Sequence, residues 1–253
     1  GGLGKTLMER IVDSKPEVVT LLGTQYRMNE EIMRFSSSWF YDGKVKAAPI
    51  TAHRGILDYD TPIEWVDDVA NDDETVGETF VGETFGRINK VEARQVMELL
   101  QAYFEKIGKQ RIIDESIDVG IISPYRAQVQ YLRHLIKKEA FFKPFRHLLS
   151  VNTVDGFQGQ ERDVIIVSLV RSNNDGQIGF LRDLRRMNVA MTRARSKLII
   201  IGDHETLAHH EFYKKLYEYL KSATTRLYDT EAKIICIVSK KGAQCIECHH
   251  KDI

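Results

Sequence analysis

Between residues 185 and 195 the chain carries four arginines, Arg185, Arg186, Arg193 and Arg195, set among Met187, Val189, Ala190 and Met191. On a helix, Arg186, Val189, Ala190 and Arg193 share one face. Burying a guanidinium without a partner is expensive, so the pattern calls for an anion or acidic groups close by; a basic solvated helix face is the alternative. A second polar stretch runs Asn152-Thr153-Val154-Asp155-Gly156-Phe157-Gln158-Gly159-Gln160-Glu161 between two apolar runs. Its glycines allow close approach of the backbone, and Thr153, Gln158 and Glu161 carry hydrogen-bonding groups suited to phosphate, amide and ribose. Two shorter groups complete the set. In Thr24-Gln25-Tyr26-Arg27-Met28-Asn29 the tyrosine can stack on a base and the arginine can fork onto phosphate oxygens; a core tyrosine beside a solvated arginine explains the same residues. Ser123-Pro124-Tyr125 offers a hydroxyl, backbone amides and an aromatic for a phosphodiester and a stacked base, and reads equally as a strand-to-helix turn.

Two tempting signals carry less. Gly4-Lys5-Thr6 has the ending of a phosphate-binding loop, but the first glycine of G-x-x-x-x-G-K-[ST] would fall before residue 1, and Leu7, Met8, Ile11 and Val12 continue as an amphipathic helix face. Without that lysine and a magnesium-holding acid, the chain is not expected to hydrolyse a nucleotide alone. The end of the chain, with Cys236, Cys245, Cys248, His249 and His250, has zinc-ligand types but no paired second knuckle, so no metal site is assigned.

The elements that must position these groups alternate. Short apolar runs predict strands at Val18–Leu22, Ile63–Val66, Val119–Ile122, Leu149–Val154, Val164–Val170 and Leu198–Ile201. Helical periodicity falls at Leu7–Val12, Glu30–Phe40, Lys90–Glu105, Ala127–Lys138, Arg186–Thr192 and Glu205–Leu220. Alternation of this kind predicts an α/β fold, a mainly parallel sheet with helices on both faces. Asn89 followed by Glu92 reads as an N-cap with a capping-box acid. Residues 67–88 are polar and contain the tandem Val76–Phe80 and Val81–Phe85, which suggests a surface loop; Ala232–Val238 suggests one more strand in an appendage over 223–253.

With 36 basic and 36 acidic residues the chain has no global basic field, so any polyanion site must be local. Its three cysteines all fall in the tail and give no disulfide framework, which fits a reducing, intracellular, soluble setting. No apolar run is long enough to span a bilayer, so no membrane partner is expected. The start without methionine, inside motif-like sequence, reads as an excised piece.

Taken in order, Gln25-Tyr26-Arg27-Met28, Ser123-Pro124-Tyr125, Thr153 to Glu161 and Asn188 to Arg195 resemble the ordered motifs of superfamily 1 helicases. The match is close to the subgroup containing the nonsense-mediated-decay and immunoglobulin-mu-binding helicases, and covers roughly residues 3 to 220. The resemblance implies a RecA-like, P-loop-NTPase-type fold over 1–222, the second of two such domains that close around ATP and Mg2+. The first domain, a partner in the same parent chain, would carry the P-loop and the magnesium acids. It further implies Arg27 and Arg193 as catalytic arginines on the γ-phosphate. Tyr26 would lie on adenine with Gln25 and Gly159 beside the nucleotide, and Glu161 would meet the ribose. Ser123, Pro124, Tyr125 and Thr153 would hold single-stranded DNA or RNA, with 5′ to 3′ translocation. Two rivals remain: a non-motor single-strand-binding module, and a protein-interaction scaffold whose arginines pair with a partner's acids. DNA and RNA are not distinguished, because backbone-tracking motifs display no 2′-hydroxyl reader.

Overall fold

The computed structural model describes residues 10, 13–15, 20–58, 60–68, 77–82, 86–157 and 159–223. Gly4-Lys5-Thr6, most of the helix at Leu7–Val12, Gln158 and the Cys/His tail with its expected strand lie outside them.

The centre is a five-stranded sheet: β1 (Ile63–Val66), β2 (Val119–Ile122), β3 (Leu149–Asn152), β4 (Arg162–Ser168) and β5 (Ala194–Ile201), in spatial order β1-β5-β4-β2-β3. Every neighbouring pair is parallel. This bears out the α/β expectation, and the burial pattern shows why the strands read as they do. In β2 all four residues are buried, and in β4 and β5 nearly all, because helices cover both faces. The rim strand β1 alternates buried and half-buried residues.

The pleat sends successive residues to two separate cores. Ile165 and Val167 of β4 and Leu198 and Ile200 of β5 pack with α1 (Glu30–Tyr41), with the helix of residues 211–223, and with Met187, Ala190 and Met191. Val164, Ile166, Ile199 and Ile201 face the other way, onto α2 (Lys90–Ile107) and α3 (Arg126–Lys138). Met187, Ala190 and Met191 belong to α4 (Leu184–Met191), which is capped by Asp183 accepting from the Arg186 amide.

Several expectations change. Thr20–Leu22, the described part of the strand expected at Val18–Leu22, pairs with nothing in the sheet, and Leu22 is 82% exposed. Only Thr24–Gln25 makes a short parallel bridge, to Lys46–Ala47. An apolar run reports burial somewhere, and does not by itself say in which sheet. The helix expected over Glu205–Leu220 breaks. Asp203 caps the turn His204–Leu207, and a new helix starts at 211.

The stretch expected to be a surface loop, 67–88, holds an antiparallel hairpin, Thr79–Val81 against Gly86–Ile88. Its Glu78 side chain is only 8% exposed and pairs with Arg87 and Arg171. Burial raises the Glu78 pKa even against those two arginines.

Candidate functional site

In an all-parallel sheet the strand starts form one edge and the strand ends the other, and the sequence motifs divide between them. Glu161 immediately precedes β4, Arg193 immediately precedes β5, and the Asn29 amide donates to the Arg195 carbonyl at 2.9 Å. Tyr26, Arg27, Glu161 and Arg193 therefore gather at the amino edge. Parallel sheets usually collect ligands at the carboxyl ends of their strands; here the Gln25–Met28 loop serves the opposite edge, because no sheet strand leads into it.

That loop folds on its own side chain. Gln25 Oε1 accepts from the Arg27 and Met28 amides at 2.8 and 2.7 Å, and its Nε2 donates to the Met28 carbonyl at 2.8 Å. With both ends occupied, Gln25 shapes the loop and has little left for a nucleotide. The result leaves Tyr26 71% exposed, available for stacking. Arg27 pairs with Glu161 and donates to the Thr192 carbonyl at 3.1 Å. Glu161 thus steadies an arginine, in addition to any contact with a sugar.

Arg193 donates to the carbonyls of Val189 and Gln160, both at 3.1 Å, and among the described residues no carboxylate lies within ion-pair distance of it. Burial, and next the adjacent Arg27 guanidinium, lower its pKa, with Glu161 opposing. Two guanidiniums held beside one half-exposed carboxylate leave positive charge uncompensated, the electrostatic requirement for a multiply charged anion. Gly159, at φ +79° with open space around its Cβ position, turns the chain into this edge. Arg195, with no role expected of it, bridges Asp118 at 2.9 Å and Asp163 at 3.0 Å and so ties the starts of β2, β4 and β5 together. Acids one residue before or inside the strand starts were its signal.

The expectation that Arg186 and Arg193 share a helix face fails. α4 ends at Met191, Arg193 lies in the turn beyond it, and Arg186 sits at the helix's other end. The helix runs against the strands, so its start is at the carboxyl edge, where Arg186 reaches Asp155 at 3.4 Å and Asp183 at 3.7 Å.

Ser123, Pro124, Tyr125 and Thr153 follow β2 and β3 at that same carboxyl edge, but they are not equally accessible. Pro124 and Thr153 line a cleft with Asp155, Phe180, Asp183 and Arg186. Ser123 is wholly buried, its Oγ accepting from the Tyr125 amide at 3.4 Å. Tyr125 is 6% exposed, its ring under Phe180 and its hydroxyl 3.5 Å from an Arg171 nitrogen. The expectation that Tyr125 presents its ring to a base is therefore corrected: the strand-to-helix turn folds the ring inward.

Beneath this edge lies a polar network that the sequence did not disclose. Asn89 caps α2 as expected, accepting from the Glu92 amide at 3.0 Å. Glu92, however, does not reach back as a capping-box acid. Fully buried, it accepts from Ser168 Oγ at 2.6 Å and from the Val170 amide at 2.8 Å, while Gln128 Oε1 takes the Asn89 amide at 3.1 Å. Burial holds the Glu92 pKa well above the usual carboxylate range. Val170 has φ 72°, a strained conformation for a β-branched residue, which this carboxyl group stabilises. Nearby Asp68 accepts from Asn89 Nδ2 at 2.8 Å, and burial raises its pKa to about 6.

A parallel sheet covered on both faces, with motifs on opposite strand ends, is the architecture of a RecA-like domain, and the comparisons with known proteins assign it to that class. The sequence profile described as an AAA domain matches residues 3–205. An uncharacterized ATP-dependent helicase of Methanocaldococcus jannaschii is 38% identical over 87% of this chain and 32% of its own length. The DNA polymerase alpha-associated DNA helicase A of Saccharomyces cerevisiae is 39% identical over 81% of this chain and 31% of its own. The regulator of nonsense transcripts 1 homolog of Neurospora crassa is 33% identical over 87% and 20%. The chain belongs to the AAA-domain family as a superfamily 1 helicase C-terminal domain, related to the nonsense-mediated-decay and immunoglobulin-mu-binding group. It spans less than a third of the length of these relatives. Among the described residues no helix is long and apolar enough to cross a membrane.

Proposed function

We propose that this chain is the second motor half of an ATP-dependent helicase, with the amino edge of its sheet meeting ATP and the carboxyl edge meeting a single strand of DNA or RNA. In this reading the first RecA-like domain of the parent protein holds the phosphates and Mg2+. Arg27 and Arg193 reach the γ-phosphate from this side, Tyr26 lies on the adenine, and Gly159 and Glu161 shape the same wall. Pro124 and Thr153 hold the strand, and movement is 5′ to 3′ by likeness to the family. ATP hydrolysis supplies the free energy. This chain's residues supply charge at the γ-phosphate and a grip that changes as the domains close. The whole protein is expected to be soluble and intracellular.

One observation carries the proposal: Arg27 and Arg193, from distant parts of the sequence, stand together, and among the described residues Arg193 bonds to main-chain carbonyls only. Evolving charge on a phosphoryl group is what such a pair stabilises, and an arginine supplied across an interface is worth about 10³- to 10⁵-fold in rate. The test is ATP turnover by the full-length protein with single-stranded DNA and RNA in parallel, for wild type, Arg27→Ala and Arg193→Ala. Turnover that survives both substitutions excludes the assignment and favours the scaffold. Stimulation by one polymer alone identifies the substrate.

A further inference from the structure

We propose that Phe180 is the base-stacking platform of this domain, with Arg182 and Arg186 beside it for the phosphates; the proposal rests on the carboxyl edge being the strand-binding edge. Phe180 is 65% exposed, among the largest apolar side chains left in solvent, and it is set on a rigid support. Its ring lies 5.6 Å from that of buried Tyr125 at 47°. Tyr125 in turn abuts Arg171, which is 4% exposed and ion-paired with Glu78. Ring upon ring upon a buried ion pair makes a pillar that ends in an open aromatic face.

The residue before it is Gly179 at φ +53°, a conformation that L side chains rarely adopt, and a Cβ there would crowd the ends of the Arg171 and Tyr125 side chains. The missing side chain lets the main chain lie over the pillar and seat Phe180 on it without displacing those ends.

The surroundings select a nucleic-acid strand. Phe180 lines the same cleft as Pro124, Thr153 and Arg186. Arg182 and Arg186 are exposed, and Arg186 is held at 3.4 and 3.7 Å from Asp155 and Asp183, at distances loose enough to exchange for a phosphate. An aromatic face flanked by cations and a hydroxyl accepts any base, so the contact is tolerant of sequence and of sugar. Tyr125, the aromatic that sequence favours here, acts as the support.

The experiment uses the full-length protein and fluorescence anisotropy with two labelled single strands of equal length, one of thymidines and one abasic, each also made as RNA. Phe180→Ala is expected to weaken binding of the base-bearing strands roughly tenfold and to leave the abasic strands unaffected, with Phe180→Trp restoring wild-type affinity. Thr153→Val is expected to weaken binding of both kinds of strand. Equal affinity of wild type and Phe180→Ala for thymidine strands, or an equal loss on abasic ones, overturns the stacking role. Unchanged binding by Thr153→Val and Phe180→Ala alike overturns the edge assignment beneath it.

Discussion

The two edges of one sheet are built on opposite principles. At the amino edge the side chains that matter are half-exposed: those of Arg27 and Glu161 are 33% and 40% accessible, and they pair with one another, with main chain and, from Glu161, with Arg195 at 3.8 Å. At the carboxyl edge exposed Phe180 rests on buried Tyr125, which abuts buried Arg171, and the end of β4 is held by the buried bond between Ser168 and Glu92. Charge near water can be rearranged cheaply as a ligand arrives, whereas a buried polar network is rigid and unforgiving. In the proposed function, the edge that responds to a changing phosphate is the loosely held one, and the edge that grips a strand is the firmly founded one.

Substitutions at the two edges should accordingly fail in different currencies. Arg193→Ala in the full-length protein should lower strand-stimulated ATP turnover by about 10³-fold or more while leaving the urea midpoint unchanged; a large loss of stability would contradict the loose amino edge. Glu92→Ala should do the reverse in kind. Leaving the Val170 amide and Ser168 hydroxyl unsatisfied should cost about 2 to 4 kcal/mol in urea unfolding, and a neutral result would remove the buried foundation.

A smaller effect distinguishes the edges by pH. Asp68 is raised from 3.8 to about 6 in the folded protein, so between those values the folded state holds a proton that the unfolded state has lost. The Asp68 contribution to stability then falls as pH rises from about 4 to about 6 and levels off above. Asp68→Asn should flatten that part of the profile, and identical slopes in variant and wild type would discount the burial of this acid. The smallest change is electrostatic. Arg186→Ala should reduce the slope of log affinity against log salt for a single strand by about one, without altering nucleotide affinity.

Much of the scaffold was legible because β-branched runs and helical periods are strong when both faces are covered. Ile63–Val66 and Val119–Ile122 form as the pattern predicts, and α1, α2 and α3 start within a residue of their expected positions. Thr20–Leu22 misled because hydrophobicity reports a partner without saying where it stands. Within the motifs, sequence located the right loops but not which way the side chains face. Tyr26 and Tyr125 look alike in sequence, yet one is 71% and the other 6% exposed. Glu92 satisfied the spacing of a capping box, but spacing along a helix says nothing about a strand end that offers better donors from across the fold.

α4 is eight residues long, roughly 12 Å from end to end, and it brings Arg186 to one edge while placing Arg193, two residues past its end, at the other. As one short rigid body it cannot tilt at its start without moving its finish. If strand and nucleotide each favour one setting of this helix, each must change the affinity of the other by the same factor, since thermodynamic linkage is reciprocal. Communication between fuel and track then needs no long relay, only a lever shorter than the sheet it lies on.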